Sequence, residues 1–254
     1  MIRLLALIIS LITATVLTAA PAAATSRLVA DLSNESVAIT TGFHGTELLL
    51  FGAVDGQVGD DIIVIITGPP TDIAQRRKGN RAGIWINVET NIWRQVPSFY
   101  SILATRPLDD ITSIDTIKQL GIGPDHLRLT LAPESGFSTA LNGERLIKAL
   151  ISNMANINLW PAQTGLVSLA QDALFRAKID LPSNIVTGEY DIRVLHLRDG
   201  TAIGEDRTRL TIEKGGLTAY ISNLAHNYSA LYGIIAIAFA IAAGWLAAAV
   251  FRRS

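Results

Sequence analysis

The pattern of hydrophobic and polar positions divides the chain into an apolar start, a long mixed middle and an apolar end. Leu4 to Leu17 is an apolar run behind Arg3, and Ala22-Ala23-Ala24 follows it. A short charged start, an apolar stretch and a small-residue A-x-A site predict a signal peptide over 1–24, cleaved after Ala24. The alternative is an uncleaved signal anchor. Leu231 to Phe251 is a run of 21 residues without a charge. About 20 such residues cross the hydrocarbon core as a helix, so a transmembrane helix is predicted over 231–251. Arg252 and Arg253 follow it. Positive charge marks the cytoplasmic side, which makes 252–254 a cytoplasmic tail. Tyr228, Tyr232 and Trp245 sit near the boundaries, as amphipathic aromatics do at interfaces. This layout implies a bacterial inner-membrane protein with a single pass and a periplasmic N-terminal domain.

The middle begins with strand patterns. Val37 to Thr41 is a short β-rich run, and Thr46 to Val54 is centred on Leu48-Leu49-Leu50-Phe51. Ile62 to Ile66 is a continuous branched run, which suits a strand covered on both faces. Gly83 to Val88 and Ser98 to Ala104 are further strand candidates. The period then changes. Ile111, Ile114, Ile117 and Leu120 recur every three residues, with Gly121 where a helix C-terminal glycine belongs. A second helix is predicted from about 138 to 157, with Leu146, Ile147, Leu150, Ile151 and Met154 as its apolar stripe.

The last third returns to period two. Phe175, Ala177, Ile179 and Leu181 alternate with Arg176, Lys178 and Asp180, the signature of a half-buried strand. Tyr190, Ile192 and Val194 share one face of the next strand, Asp199-Gly200 makes a turn, and Leu210 and Ile212 belong to a final strand. A loop followed by Gly188-x-Tyr190 resembles the corner of immunoglobulin-like sandwiches, where a tyrosine hydroxyl ties the loop down. Tyr190 is therefore expected to be buried with its hydroxyl on nearby backbone, and Phe175, Ile179, Ile192 and Ile212 to share one core. The predicted fold is mainly β: an Ig-like antiparallel β-sandwich over 25–215 with an α-helical insertion at about 105–163. A helical stalk over 216–230 and the C-terminal transmembrane helix complete it. Two domains split near Pro107 are the alternative.

Charge and composition narrow the function. Of 21 basic and 22 acidic residues, all but Arg3, Arg252 and Arg253 lie between the apolar ends. The middle is mildly acidic, which argues against a nucleic-acid partner, since that needs a basic surface. Cysteine is absent, so thiol catalysis, thiolate metal sites and disulfides are excluded. His44, His126, His196 and His226 are not spaced as a metal pair. Ser135 lacks a nucleophile elbow, and Gly121-x-Gly123 is followed by Pro124 and is no dinucleotide loop. Asp60-Asp61 and Asp109-Asp110 are the carboxylate pairs, and adjacent acids more often mark a turn or a helix start than an acid–base site. No enzymatic activity, cofactor or metal is expected.

Two features remain. Gln75-Arg76-Arg77-Lys78-Gly79-Asn80-Arg81 places four positive charges in six positions, with Trp85 and Trp93-Arg94 close behind. Arg76, Arg77, Lys78, Arg81, Trp85 and Arg94 are the candidate residues for an anion, acidic lipid head groups or an acidic partner patch. The bland reading is a solvated hairpin tip whose charge opposes edge pairing. In the C-terminal run, Ala236, Ala240, Gly244 and Ala248 repeat every four residues, a ridge on which another helix could pack or the chain could self-associate. Eight of the 21 residues are alanine, so chance can also produce it.

Several local patterns carry a family resemblance: Phe43-x-Gly45 with Phe51-Gly52, Gly68-Pro69, Lys78 before Gly83-Ile84-Trp85-Ile86-Asn87, Val96-Pro97-Ser98-Phe99-Tyr100, Arg106-Pro107-Leu108, Tyr232-Gly233 and Gly244-Trp245. With these the chain resembles a transmembrane protein family of alphaproteobacteria over nearly its whole length. The resemblance implies a membrane-anchored accessory protein and carries no catalytic residues over. It also associates the chain with a polytopic anion exporter of the sulfite or organosulfonate type as partner. The rival expectation is a periplasmic module that captures a small anion at 76–81.

Overall fold

The structure is a computed structural model that describes residues 27–133, 139–215, 233–234 and 237–245. The signal peptide and the stalk predicted from the sequence lie outside the described residues. The first strands are β1 (Leu28–Leu32), β2 (Ser36–Ile39), β3 (Thr46–Val54) and β4 (Asp61–Thr67). A long hairpin follows, β5 (Pro70–Arg81) and β6 (Ile84–Pro97), and then β7 (Tyr100–Ala104). Two short helices, α1 (Leu108–Ile111) and α2 (Ile114–Leu120), lead through a 3-10 turn at Pro124–His126 to β8 (Thr130–Leu131) and the long α3 (Thr139–Asn156). The chain returns to β with β9 (Gly165–Ala170), β10 (Leu174–Leu181), β11 (Gly188–Arg198) and β12 (Thr201–Lys214).

Nine strands form one sheet in the order β1-β3-β10-β9-β7-β4-β11-β12-β2, and β5-β6-β8 form a second of three. This corrects the expected Ig-like antiparallel sandwich. The reason lies at β9, which pairs antiparallel with β10 on one side and parallel with β7 on the other. It joins what would have been two facing sheets into one continuous curled sheet. A second parallel pair, β12 with β2, departs from the antiparallel pattern as well. The curl brings the first strand against the other end of the sheet, where Ala30 N–H donates to Asp206 Oδ2 at 2.8 Å.

The curl encloses the main core. Ile62, Val64 and Ile66 point into it with Leu48, Leu50, Phe99, Phe175, Ile179, Ile192 and Ile212. Ile63 and Ile65 point the other way, into a second core with Trp93, Ile111, Ile117, Leu150, Met154 and Trp160. This is why a strand of consecutive isoleucines is stable here: side chains alternate across a strand, and each face of β4 has its own cover. The helical segment supplies much of the outer cover. In α2 the Ser113 side chain caps the start by accepting from Thr116 N–H at 3.3 Å. Gly121 ends it in the left-handed region, as the sequence predicted. Tyr190 is buried in the main core and its hydroxyl donates to Val186 O at 2.7 Å. The corner expected from the sequence is therefore present.

The other correction concerns the C-terminus. Among the described residues, no helix is long and apolar enough to cross a membrane, which overturns the transmembrane helix expected over 231–251. The described residues of this run, 233–234 and 237–245, are helical. Of the proposed ridge, Ala240 and Gly244 lie in this stretch, exposed, while Ala236 and Ala248 lie outside the described residues.

Candidate functional site: a hairpin arm over a groove

The basic segment is a strand, not a loop. Arg76, Arg77, Lys78 and Arg81 all lie on β5, and the hairpin turns at Ala82-Gly83. Both turn residues have positive φ, 51° and 84°, the backbone of a two-residue type I′ turn. Gly83 takes this conformation without penalty, and Asn80 Oδ1 fixes it by accepting from Gly83 N–H at 2.9 Å. Beyond the base of the hairpin both strands run largely uncovered. Ile84, Trp85 and Ile86 are 66%, 68% and 46% exposed. Directly opposed residues share a face, so Arg81 stands beside Ile84, and Asn80 and Lys78 stand with Trp85 and Asn87. The arm therefore ends in exposed apolar side chains interleaved with cations.

The structure does not gather all the candidate residues. Arg94 lies at the base of the arm, about 30 Å along the strand from Trp85. There Gln95 has φ 51° in a bulge, and Asp72 accepts from Gln95 N–H at 3.0 Å and from Arg94 Nη1 at 2.6 Å. The backbone bond from Gln95, and then the Arg94 guanidinium, hold the Asp72 carboxyl below its ordinary range. Arg77 is engaged by Glu89 on the opposite strand at 2.7 Å. Only Arg76, Lys78 and Arg81 stay with Trp85 on the outer arm.

Under the arm lies a groove that sequence reasoning missed. The face of β5 and β6 carrying Gln75, Arg77, Glu89 and Asn91 looks toward α3, which contributes Arg145, Leu146, Ala149 and Asn153. Gln75 fastens the two: its Nε2 donates to Leu146 O at 3.2 Å, and its Oε1 accepts from Trp93 Nε1 at 2.8 Å. The space enclosed is about 500 Å³. On its β side Asn91 is 1% exposed, its Nδ2 donates to Glu89 Oε1 at 3.4 Å, and its Oδ1 has no hydrogen-bond partner among the described residues. No spacing in the sequence joins residues 75–91 to 145–153. Asparagine at position 91, just before Ile92 and Trp93 in the same strand, was the one available signal.

A second polar constellation lies at the opposite end of β4 and β11. Asp60 accepts from Arg198 Nε and Nη2 at 2.8 and 2.7 Å, from His196 Nε2 at 2.7 Å and from Gln57 N–H at 2.8 Å. The Arg198 bonds, foremost, hold its carboxyl far below the usual carboxylate range against the opposing effect of burial. His196 has no exposed surface, so this His–Asp contact cannot reach a substrate and serves to tie β11 to the β3–β4 turn. Asp61 faces another way, bonded to Thr105 Oγ1 at 2.6 Å and to Arg106. Among the described residues no His, Asp and Glu side chains cluster as metal ligands would.

The comparisons with known proteins bear on family, not on chemistry. None of the curated proteins compared with the chain is similar to it. Among solved structures, domain 1 of VCBP3 from Branchiostoma floridae is 12% identical, with 75% of this chain and 97% of that chain covered and a TM-score of 0.25. BslA, a bacterial hydrophobin, is 11% identical with the same coverage and a TM-score of 0.22. At these scores neither likeness carries an argument. A family model described as "Putative transmembrane protein" matches residues 27–253. The match runs across both sheets, the helical segment and the C-terminal stretch, and the chain belongs to that family, Alph_Pro_TM.

Proposed function

We propose that this is a non-enzymatic accessory protein of the bacterial inner membrane whose periplasmic β domain makes contacts at the membrane surface through the β5–β6 arm. One observation carries the reading: Ile84, Trp85 and Ile86 stand exposed at the end of a hairpin beside Arg76, Lys78 and Arg81. Isoleucine and tryptophan side chains gain by leaving water at the head-group boundary, and tryptophan favours that level. Each nearby Lys or Arg adds about 1 kcal/mol of attraction to anionic lipid. A membrane-embedded partner, such as a polytopic anion exporter, belongs to the same reading, because the arm would meet it at the membrane plane. The family's description as transmembrane is in keeping with this.

The chain has no cysteine, so a cysteine introduced as Ile84→Cys gives one labelling site. An environment-sensitive fluorophore there should shift to the blue when the full chain meets phosphatidylglycerol vesicles, and much less with phosphatidylcholine. The same label at the exposed Val58 should report no change. Equal, unshifted emission at both positions in both lipids would sink the proposal. A small-anion module built on Arg76–Arg81 alone is the weaker reading, because these side chains alternate across a strand instead of converging, and Arg77 is engaged by Glu89.

A further inference from the structure

We infer that the groove between the β5–β6 arm and α3 is a binding site for a small zwitterion of the α-amino-acid type, its ammonium held by Glu89 and Asn91 and its carboxylate by Arg145. This site is separate from the membrane contact proposed above, which uses the outer arm.

The argument starts from Asn91. A buried polar atom without a partner costs about 1–3 kcal/mol, and such an atom calls for an explanation. Asn91 is almost wholly buried, lines the groove, and leaves Oδ1 without a hydrogen bond among the described residues. Turning the amide over would place its oxygen against Glu89 Oε1, acceptor against acceptor, so the present orientation is the sound one. Beside it, Glu89 accepts from Arg77 on Oε2 and, among the described residues, receives on Oε1 only the long 3.4 Å contact from Asn91. Two acceptors therefore lie side by side with capacity left, one of them charged. A group that donates several hydrogen bonds and carries positive charge answers both, and an ammonium has three donors.

The rest of the lining has the opposite sign. Arg145 from the helix borders the same groove, and guanidinium recognises carboxylate bidentately. Leu146 and Ala149 supply an apolar wall. The volume of about 500 Å³ lies within the range of small-molecule sites. An anion alone would leave Asn91 and Glu89 unanswered, and a cation alone would meet Arg145 as a like charge. A molecule carrying both answers both ends.

The test uses the full chain purified in detergent and its thermal midpoint with the proteinogenic amino acids added singly at millimolar concentration. A ligand that binds only the folded state raises the midpoint. At least one amino acid should do so, while acetate and ethylamine, each carrying one of the two groups, should not. Arg145→Ala, an exposed helix position, should weaken the effective amino acid at least about tenfold. Asn91→Leu is the sharper variant. Removing an unanswered acceptor should leave the midpoint of the free protein unchanged or raised, yet abolish the amino-acid shift. A merely structural Asn91 would give the reverse. Ile84→Ser with Trp85→Ser should lose vesicle contact and keep the shift, which separates the two proposals. The inference falls if no amino acid raises the midpoint, if acetate alone raises it equally, or if Arg145→Ala binds as the parent does.

Discussion

β4 and the outer half of β6 contain nearly the same kind of sequence and have opposite fates. Ile62-Ile63-Val64-Ile65-Ile66 is buried on both faces, while Ile84-Trp85-Ile86 is exposed on both. Strand geometry is common to the two. The difference is cover: β4 has the curl of the large sheet on one side and α1, α2, α3 and the base of the arm on the other, whereas the end of the arm is exposed on both faces. Consecutive apolar residues in a strand therefore predict burial only if something else in the chain can reach them. Where nothing among the described residues does, they stay exposed, as Ile84, Trp85 and Ile86 do.

Substitution to alanine should separate the two regions most widely. Ile63→Ala leaves a void between packed faces and is expected to cost about 3–4 kcal/mol. Ile84→Ala removes a side chain that touches mostly water and should stay within about 0.5 kcal/mol. Urea unfolding of the full chain checks both. Equal losses would show that the arm is packed in solution and would weaken the case for it as a contact surface.

The same contrast holds for charge. Asp60 is buried and bonded by Arg198, His196 and Gln57, and Asp60→Asn should cost about 3 kcal/mol, the scale for breaking a buried pair. Asp72 with Arg94 is half exposed, and Asp72→Asn should cost far less, because solvent screens the pair. The pH dependence has a definite sign. The Asp60 carboxyl is held ionised in the folded state well below its unfolded value of about 3.9. Its contribution is fully present above about pH 5 and is lost as pH falls toward the folded value. Acid titration of wild type should therefore show a steeper fall in stability below pH 4 than that of Asp60→Asn. Parallel curves would assign the acid sensitivity to other carboxylates.

The sequence made some of this legible and hid the rest for identifiable reasons. Period two in Phe175–Leu181 and the isoleucine run in β4 report directly on cover, and the core residues followed from them. Asp199-Gly200 was readable as a turn because Gly favours positive φ and Asp tolerates it; both residues have it, 49° and 77°. Ala82-Gly83 makes the same kind of turn, but alanine seldom takes positive φ, so the basic run before it read as a loop when it is strand. The single curled sheet was not legible, because it depends on the short parallel pairing of β9 with β7, which leaves no pattern in either strand. The groove and the Asp60–His196–Arg198 cluster join residues far apart in sequence. Adjacency of Asp60 and Asp61 was readable as a turn, but not that the alternation of strand faces sends them to different partners.

Tyr190 tests the interior alone, with a smaller effect. Its hydroxyl is buried and donates to Val186 O, and burial pushes its pKa up to about 12. Tyr190→Phe keeps the ring against Phe99 and removes that one bond, for an expected loss of about 1 kcal/mol. The loss should be flat from pH 6 to 9, since the phenol stays protonated throughout. A larger loss that grows with pH would mean the hydroxyl does more than tie down the corner.

The smallest effect addresses whether the arm and the core unfold together. Ala82 has φ 51°, a conformation that costs a non-glycine residue about 1–2 kcal/mol and that asparagine adopts more readily. Ala82→Asn should therefore favour the turn by about 0.5–1 kcal/mol. Local stability varies across a structure, and the outer arm is covered by little of the protein. The gain should then appear as about two- to fivefold slower amide exchange on the strand residues flanking the turn, with the global urea midpoint unmoved. If instead the midpoint rises by the full amount, the arm folds as one unit with the sheet. Its exposed Ile84, Trp85 and Ile86 would then be presented on a rigid support, and the entropy of ordering the arm would drop out of any contact it makes.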